Sequence, residues 1–124
     1  MAPEIRHLHI SSRDHAASER FYERYFGFRF DATFPRGNEP AATILRSTGG
    51  FQLYLEGGST EKLPPWFHFG FFVESAEMCL SLYQRMKEDQ VTIIHPYVTD
   101  PFAYFFFADP DRHVIQVYYD PKAL

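Results

Sequence analysis

The sequence predicts an α+β fold made of two tandem β-α-β-β-β modules within one domain that spans residues 1–124. The first observation is an internal repeat, because a shift of 61 residues places His7 on His68 and Tyr22 on Tyr83. The second is the segment 57–65, whose Gly, Ser, Thr and Pro residues are typical of a linker. We therefore expect one module over about residues 4–56 and a similar module over about residues 66–120.

The last strands of the two modules are near copies of each other. Phe51–Glu56 and Ile115–Asp120 both run apolar, Gln, apolar, Tyr, apolar or aromatic, acid. Side chains on a strand alternate between its two faces, so Gln52 and Gln116 point away from their apolar neighbours. The two amides either satisfy hydrogen bonds within a core or face a shared cavity.

The first module follows from capping and turn signals. Asp14 can cap a helix that Gly27 ends, with Ala17, Phe21 and Tyr25 on one face. We expect a loop at residues 35–40. The predicted elements are a strand at 5–13, a helix at 14–26, and strands at 28–34, 42–47 and 51–56.

The second module repeats this order. Ser75 can cap a helix with a buried stripe of Met78, Leu82 and Met86, and Asp109–Arg112 can form the last hairpin turn. The predicted elements are a strand at 66–73, a helix at 75–89, and strands at 91–95, 103–108 and 113–119.

Composition narrows the classes of function. The net charge of −4 and the lack of a Lys/Arg run argue against nucleic-acid binding, and the lack of an N-terminal apolar run argues against a membrane protein and for a cytoplasmic one. Cys79 is the only cysteine, which excludes an internal disulfide, and its apolar neighbours predict a helix core. The 14 Phe and 8 Tyr residues exceed what one small core needs, so we expect ring-lined cavities and a homodimer.

Three stretches together resemble the vicinal oxygen chelate superfamily, which contains glyoxalase I, extradiol dioxygenases and the fosfomycin- and bleomycin-resistance proteins. Ile5–Leu8, followed by Asp14, Ser18, Phe21-Tyr22 and Gly27-Phe28, is similar to the opening of this family, although Phe26 stands at its usual Leu. Phe67–Phe69 resembles the start of its second module. Phe107–Asp111, continuing to Gln116, resembles its terminal Asp-Pro-Asp-Gly hairpin.

The resemblance implies that the two modules form a curled, open barrel-like sheet around a cavity, in a dimer that binds a small and possibly aromatic molecule. It implies a divalent metal ion (Zn, Ni, Fe, Mn or Co) at four positions on the first and last strands of the modules. Carried over by position, these are His7, Gln52, His68 and Gln116. A neutral amide cannot act as a general base, and Ser11 stands where glyoxalase I has an Arg, so the resemblance does not extend to glyoxalase I activity.

Alternation adds candidates for catalysis on the same faces. His9 could shuttle a proton, and Tyr54 and Tyr118 could donate hydrogen bonds to a ligand. Glu56 is the one carboxylate on these faces and could act as a base, although a solvated Glu at a strand end is the simpler interpretation. Two functions remain open: a metal-dependent lyase or dioxygenase-like enzyme, and a metal-free binding protein of the bleomycin-resistance type. A structural or regulatory module with a closed, ring-filled cavity is a third possibility.

Overall fold

A computed structural model describes residues 1–57 and 63–123, which form two compact units, Met1–Glu61 and Lys62–Leu124. The linker predicted at 57–65 lies largely outside the described residues. The elements of the first unit are β1 (His7–Ser11), α1 (His15–Phe26), β2 (Arg29–Arg36), β3 (Glu39–Arg46) and β4 (Gln52–Glu56). Those of the second are β5 (Phe69–Phe72), α2 (Ala76–Glu88), β6 (Ile93–Val98), β7 (Ala103–Ala108), β8 (Val114–Tyr119) and a 3-10 helix (Pro121–Ala123).

Each unit contains one four-stranded sheet with the same topology. The first sheet has the order β1-β4-β3-β2 and the second has the order β5-β8-β7-β6. In both, the first and last strands of the unit pair in parallel, and the other neighbours are antiparallel. The prediction of an α+β fold with two β-α-β-β-β modules is therefore confirmed.

Both helices begin directly after the capping residues that the sequence predicts. The Asp14 carboxylate accepts a hydrogen bond from the Ala17 backbone N–H at 3.1 Å, and the Ser75 hydroxyl accepts one from Met78 at 3.1 Å. Gly27 ends α1 with φ at +68°, in the left-handed region that glycine adopts most readily.

The apolar stripes of the helices differ from the prediction. Met78 is 51% exposed, whereas Cys79 is fully buried together with Met86. The buried stripe of α2 therefore begins one residue later and follows i, i+3, i+7, which matches the 3.6-residue period better than the i, i+4, i+8 spacing. In α1 the buried residues are Ser18 and Tyr22, and the predicted face of Ala17, Phe21 and Tyr25 is half-buried.

The loop predicted at residues 35–40 is wrong, because β2 and β3 continue into it and leave a turn of Gly37 and Asn38. Pro35 and Pro40 predict a loop. Pro35, however, lies on β2, which is an edge strand, and an edge strand tolerates proline where the missing N–H would not bond to a neighbouring strand. Pro40 lies near the start of β3, before its pairing with β4 begins at Thr43. In the second unit β5 is shorter than the predicted strand at 66–73, and Trp66 lies in a turn before it.

Each sheet has one buried face and one less buried face. In β4 Leu53 and Leu55 are buried, and in β8 Ile115 and Val117 are buried, whereas the residues between them are half-buried. Burial of these alternate side chains is the main stabilisation of each unit. In the described part of the chain no helix is long and apolar enough to cross a membrane; the cytoplasmic location stays a prediction.

Candidate functional site

The less buried face of the first sheet carries the polar residues that the sequence singled out. We call it the polar face; its members are His7, His9, Gln52, Tyr54 and Glu56. The parallel register of β1 and β4 places His7 opposite Gln52, His9 opposite Tyr54, and Ser11 opposite Glu56. Directly opposite residues share a face of a sheet, so alternation correctly predicted this grouping.

The Glu56 carboxylate is the centre of a charged cluster. Its Oε1 atom accepts a hydrogen bond from Arg36 Nη2 and contacts His9 Nδ1. The Glu56 side chain is only 22% exposed, so it is not the solvated strand-end carboxylate that the sequence suggested. Because Arg36 comes from the end of β2, three strands contribute to the cluster.

Aromatic contacts fix the rings on the polar face. The His9 and Tyr54 rings are stacked, with centroids 4.2 Å apart and an interplanar angle of 12°. His7 meets both rings edge-on, at 5.3 Å from His9 and 5.7 Å from Tyr54. The Arg36 guanidinium lies 5.5 Å from the centre of the Phe34 ring, which in turn lies 6.0 Å from Tyr54.

The corresponding face of the second sheet is mostly aromatic, and we call it the aromatic face. It carries cross-strand rows formed by Gly70, Gln116 and Phe106, and by Phe72, Tyr118 and Tyr104. His68 lies just before β5 and meets the Phe106 ring edge-on at 4.9 Å, and His95 from β6 stacks on Tyr104 at 5.6 Å. The aromatic face is therefore suited to contact with an apolar or planar ligand.

Gly70 allows Tyr118 and Gln116 to approach the backbone of β5. A Cβ atom at Gly70 would lie 3.0 Å from Tyr118 Cε1 and 3.5 Å from Gln116 Oε1. The first distance is tighter than an ordinary van der Waals contact, so any larger residue would have to displace the Tyr118 ring. A glycine in this strand thus positions two of the candidate site residues.

The candidate metal ligands are one imidazole and one amide in each unit. The first unit supplies one imidazole and one amide, from His7 and Gln52, and the second supplies the same pair from His68 and Gln116. Imidazole nitrogen suits Zn, Ni, Fe and Co, whereas an amide oxygen is a weak neutral ligand. Within residues 1–57 and 63–123, no three His, Cys, Asp or Glu side chains group to hold a metal ion.

Sequence analysis missed several residues of the two faces. Arg36 was assigned to a loop, so its contact with Glu56 was not anticipated. His95, which the following Pro96 predicts to be a loop or rim residue, lies on β6 instead. Alternation within β7 could have separated Tyr104 and Phe106 from the buried Phe105. In a strand made mostly of aromatic residues, the sequence does not show which side is buried, because both sides are apolar.

Comparison with protein families identifies the fold. The sequence profile of the glyoxalase/bleomycin resistance protein/dioxygenase superfamily matches residues 4–117. The chain belongs to this superfamily. The match includes the opening motif at His7 and the closing strand with Gln116, which were the basis of the resemblance.

Solved structures of this superfamily are similar along nearly their whole length. A possible glyoxalase from Bacillus cereus is 33% identical, with 94% of this chain and 99% of that chain covered and a TM-score of 0.80. A glyoxylase/bleomycin resistance protein/dioxygenase domain from Frankia sp. EAN1pec is 21% identical, with 96% and 98% covered and a TM-score of 0.79.

A more distant superfamily structure contains a metal ion. A Glu-to-Gln point mutant of the fosfomycin resistance protein FosX from Listeria monocytogenes, in complex with Mn(II) and 1S,2S-dihydroxypropylphosphonic acid, is 14% identical. The match covers 96% of this chain and 93% of that chain, with a TM-score of 0.78. At this identity, and at that of the Frankia domain, the likeness shows the fold alone. No curated protein matches the chain.

Proposed function

We propose that the protein binds a small oxygen-rich or aromatic molecule on its polar and aromatic faces, together with a divalent metal ion. The observation that carries this proposal is the repetition of one His and one Gln on the less buried face of each sheet. His7 lies directly opposite Gln52 in the first unit. In the second unit Gly70 lies opposite Gln116, and the His68 ring lies against Phe106, the other cross-strand neighbour of Gln116. A lone strand histidine needs no function, but recurrence of a His and a Gln in both halves of the sequence repeat favours a shared role.

The four repeated residues are the proposed metal ligands. They carry no negative charge, so a bound ion would keep its full double charge and act as a Lewis acid on an oxygen of the ligand. The polar face supplies the remaining groups: Tyr54 offers a hydroxyl donor, and His9 and Glu56 offer groups that exchange protons. The Mn(II) complex of FosX, a protein of the same fold, is consistent with a metal-assisted role.

Exchanging Gln116 for a carboxylate tests the metal site. Gln116→Glu should tighten binding of Mn(II) or Ni(II) severalfold in titration calorimetry, because a carboxylate neutralises charge where an amide does not. Gln84 lies at an exposed position of α2. Gln84→Glu adds the same charge away from the site and should leave the affinity for the metal ion unchanged. Equal affinities for wild type and Gln116→Glu would refute the site, as would unchanged binding in His7→Ala.

A metal-free binding protein of the bleomycin-resistance type is the second candidate. Its support is the row of rings at Phe72, Tyr104, Phe106 and Tyr118, which suits an aromatic ligand without any ion. Metal analysis of protein purified without a His-tag separates the two functions. For the second, aromatic ligands should raise the melting temperature equally with and without EDTA.

We further propose that the chain forms a homodimer. Phe30 and Phe34 on β2 are 55% and 46% exposed, and Met78 and Ile94 are about half exposed. Exposed large apolar side chains favour association with a second copy. Sedimentation equilibrium should give twice the chain mass at micromolar concentration, and a monomer at every concentration would contradict the proposal.

A further inference from the structure

The charged cluster on the polar face determines which nitrogen of His9 carries the proton. A carboxylate can only accept hydrogen bonds, so the contact between Glu56 Oε1 and His9 Nδ1 requires a proton on Nδ1. The competing arrangement would have Nδ1 accept from Arg36 Nη2, but that distance is 3.5 Å, at the limit for a hydrogen bond. The neutral ring therefore has its lone pair on Nε2.

The Nε2 atom of His9 is free to meet a ligand. Within residues 1–57 and 63–123 the polar contacts of His9 all involve Nδ1, and its side chain is 38% exposed. The stacked Tyr54 ring at 4.2 Å and the edge of His7 at 5.3 Å restrict rotation of the imidazole. The ring is thus held in one orientation with an unused acceptor.

Arg36 has a structural reason to be an arginine. Its guanidinium has planar, delocalised charge, so one end can pair with Glu56 while the group lies against the Phe34 ring. Its Nε atom is buried without a hydrogen-bond partner, which is unfavourable. The contact with Arg36 holds the Glu56 carboxylate in place next to His9.

We propose that Arg36 and Glu56 are positioning residues that hold His9 in the Nδ1–H tautomer, so that Nε2 accepts a hydrogen bond from a hydroxyl group of the ligand. This inference rests on the proposed ligand-binding function and narrows the ligand to a molecule that donates at this point. An ether or a ketone at the same place has no hydrogen-bond donor, so it would leave Nε2 without a partner.

The tautomer can be measured directly by long-range ¹⁵N–¹H correlation spectra of ¹⁵N-histidine-labelled full-length protein. The spectra are recorded in EDTA at about pH 9, above the range in which histidine changes charge. His9, assigned by its loss in His9→Gln, should show a protonated Nδ1 and an unprotonated Nε2. His15, whose Nδ1 lies 2.8 Å from Thr43 Oγ1, is an internal control that the variants should not change.

Substitutions distinguish positioning from folding. In Glu56→Gln the amide can donate as well as accept, so the Nε2–H form should become populated, and Arg36→Met should have the same effect more weakly. Arg36→Lys keeps the charge and should restore the wild-type pattern. An Nε2–H tautomer of His9 in the wild type overturns the proposal, and this measurement does not depend on whether any variant folds. An unchanged His9 tautomer in folded Glu56→Gln also overturns it.

Phenol and anisole test the ligand class, because they differ by methylation of the hydroxyl. Phenol should shift the His9 Nε2 resonance and leave Nδ1 nearly unchanged, and anisole should shift neither. No shift with phenol at any concentration at which the protein stays folded, or equal shifts with both compounds, overturns the hydroxyl assignment. These spectra are recorded in EDTA without metal. If the proposed metal site is refuted, the outcome of this test is therefore unaffected.

Discussion

The buried thiol of Cys79 should make the stability of the protein fall steeply in alkaline solution. Cys79 is 0% exposed, and its Sγ donates only a weak hydrogen bond to Val117 O at 3.7 Å. Burial raises the pKa of the Cys79 thiol from 9.0 to about 11. The unfolded chain therefore releases this proton at lower pH than the folded chain does, and stability is lost as the pH rises through this window.

The size of the effect follows from the two pKa values. The contribution of the protonated thiol is complete below pH 9, and the loss should reach about 1.4 kcal/mol by pH 10 and about 2.3 kcal/mol by pH 11. Urea unfolding followed by circular dichroism at pH 8, 9 and 10 measures it. Cys79→Ala is the matched control, because it removes the thiol and keeps every other group that titrates.

The decisive quantity is the difference in free energy of unfolding between wild type and Cys79→Ala at each pH. Tyr97 also has a pKa raised by burial and by repulsion from the Cys79 thiolate; the part due to burial is common to both proteins, and the part due to Cys79 belongs to the difference between them. Wild type should lose stability relative to Cys79→Ala above pH 9, and its native thiol should react slowly with disulfide reagents at pH 8. A difference that does not change with pH, or rapid native-state reaction, would refute the burial argument.

Single substitutions at turns and caps should change the free energy of unfolding in urea in opposite directions. Gly27→Ala should cost about 1 kcal/mol, because φ is +68° while no atom crowds an added Cβ. Gln90→Gly and Arg112→Gly, at φ of +62° and +67°, should each gain up to about 1 kcal/mol, and loss of stability in both would contradict the backbone argument. Ser75→Ala should cost about 1 kcal/mol through loss of the α2 cap, and an unchanged midpoint would show that the cap is dispensable.

The repeat predicted most of the fold because it constrains long-range pairing. Once His7 and His68 are equivalent, the order and direction of strands in one module apply to the other, and both sheets have that shared order. Capping chemistry is local, so Asp14 and Ser75 marked the helix starts correctly. These features depend on nearest neighbours or on the repeat, and both are visible in one sequence.

Contacts between strands at the end of a sheet were not predictable in the same way. Arg36 reaches Glu56 only because β2 continues through Pro35, and a proline next to Gly37 normally indicates a loop. Whether an edge strand tolerates proline depends on which N–H faces solvent, which is a property of the assembled sheet. The charged cluster therefore emerged only from the pairing of the strands.

The repeat also separates two kinds of functional residue on these faces. By sequence, His7 and Gln52 recur in the second module as His68 and Gln116, whereas no histidine corresponds to His9; the residue opposite Gln116 in the second sheet is Gly70. There the Tyr118 ring lies against the backbone, in the space that any larger side chain would need.

Residues that recur in both modules are candidates for a role common to the two units, whereas unrepeated residues are candidates for contacts with one particular ligand. We therefore expect repeated residues to determine metal affinity and unrepeated ones, such as His9 and Arg36, to determine ligand choice. His9→Gln should accordingly change ligand preference in calorimetry while leaving Mn(II) affinity near the wild-type value. A parallel loss of both would show that the two roles are not separate.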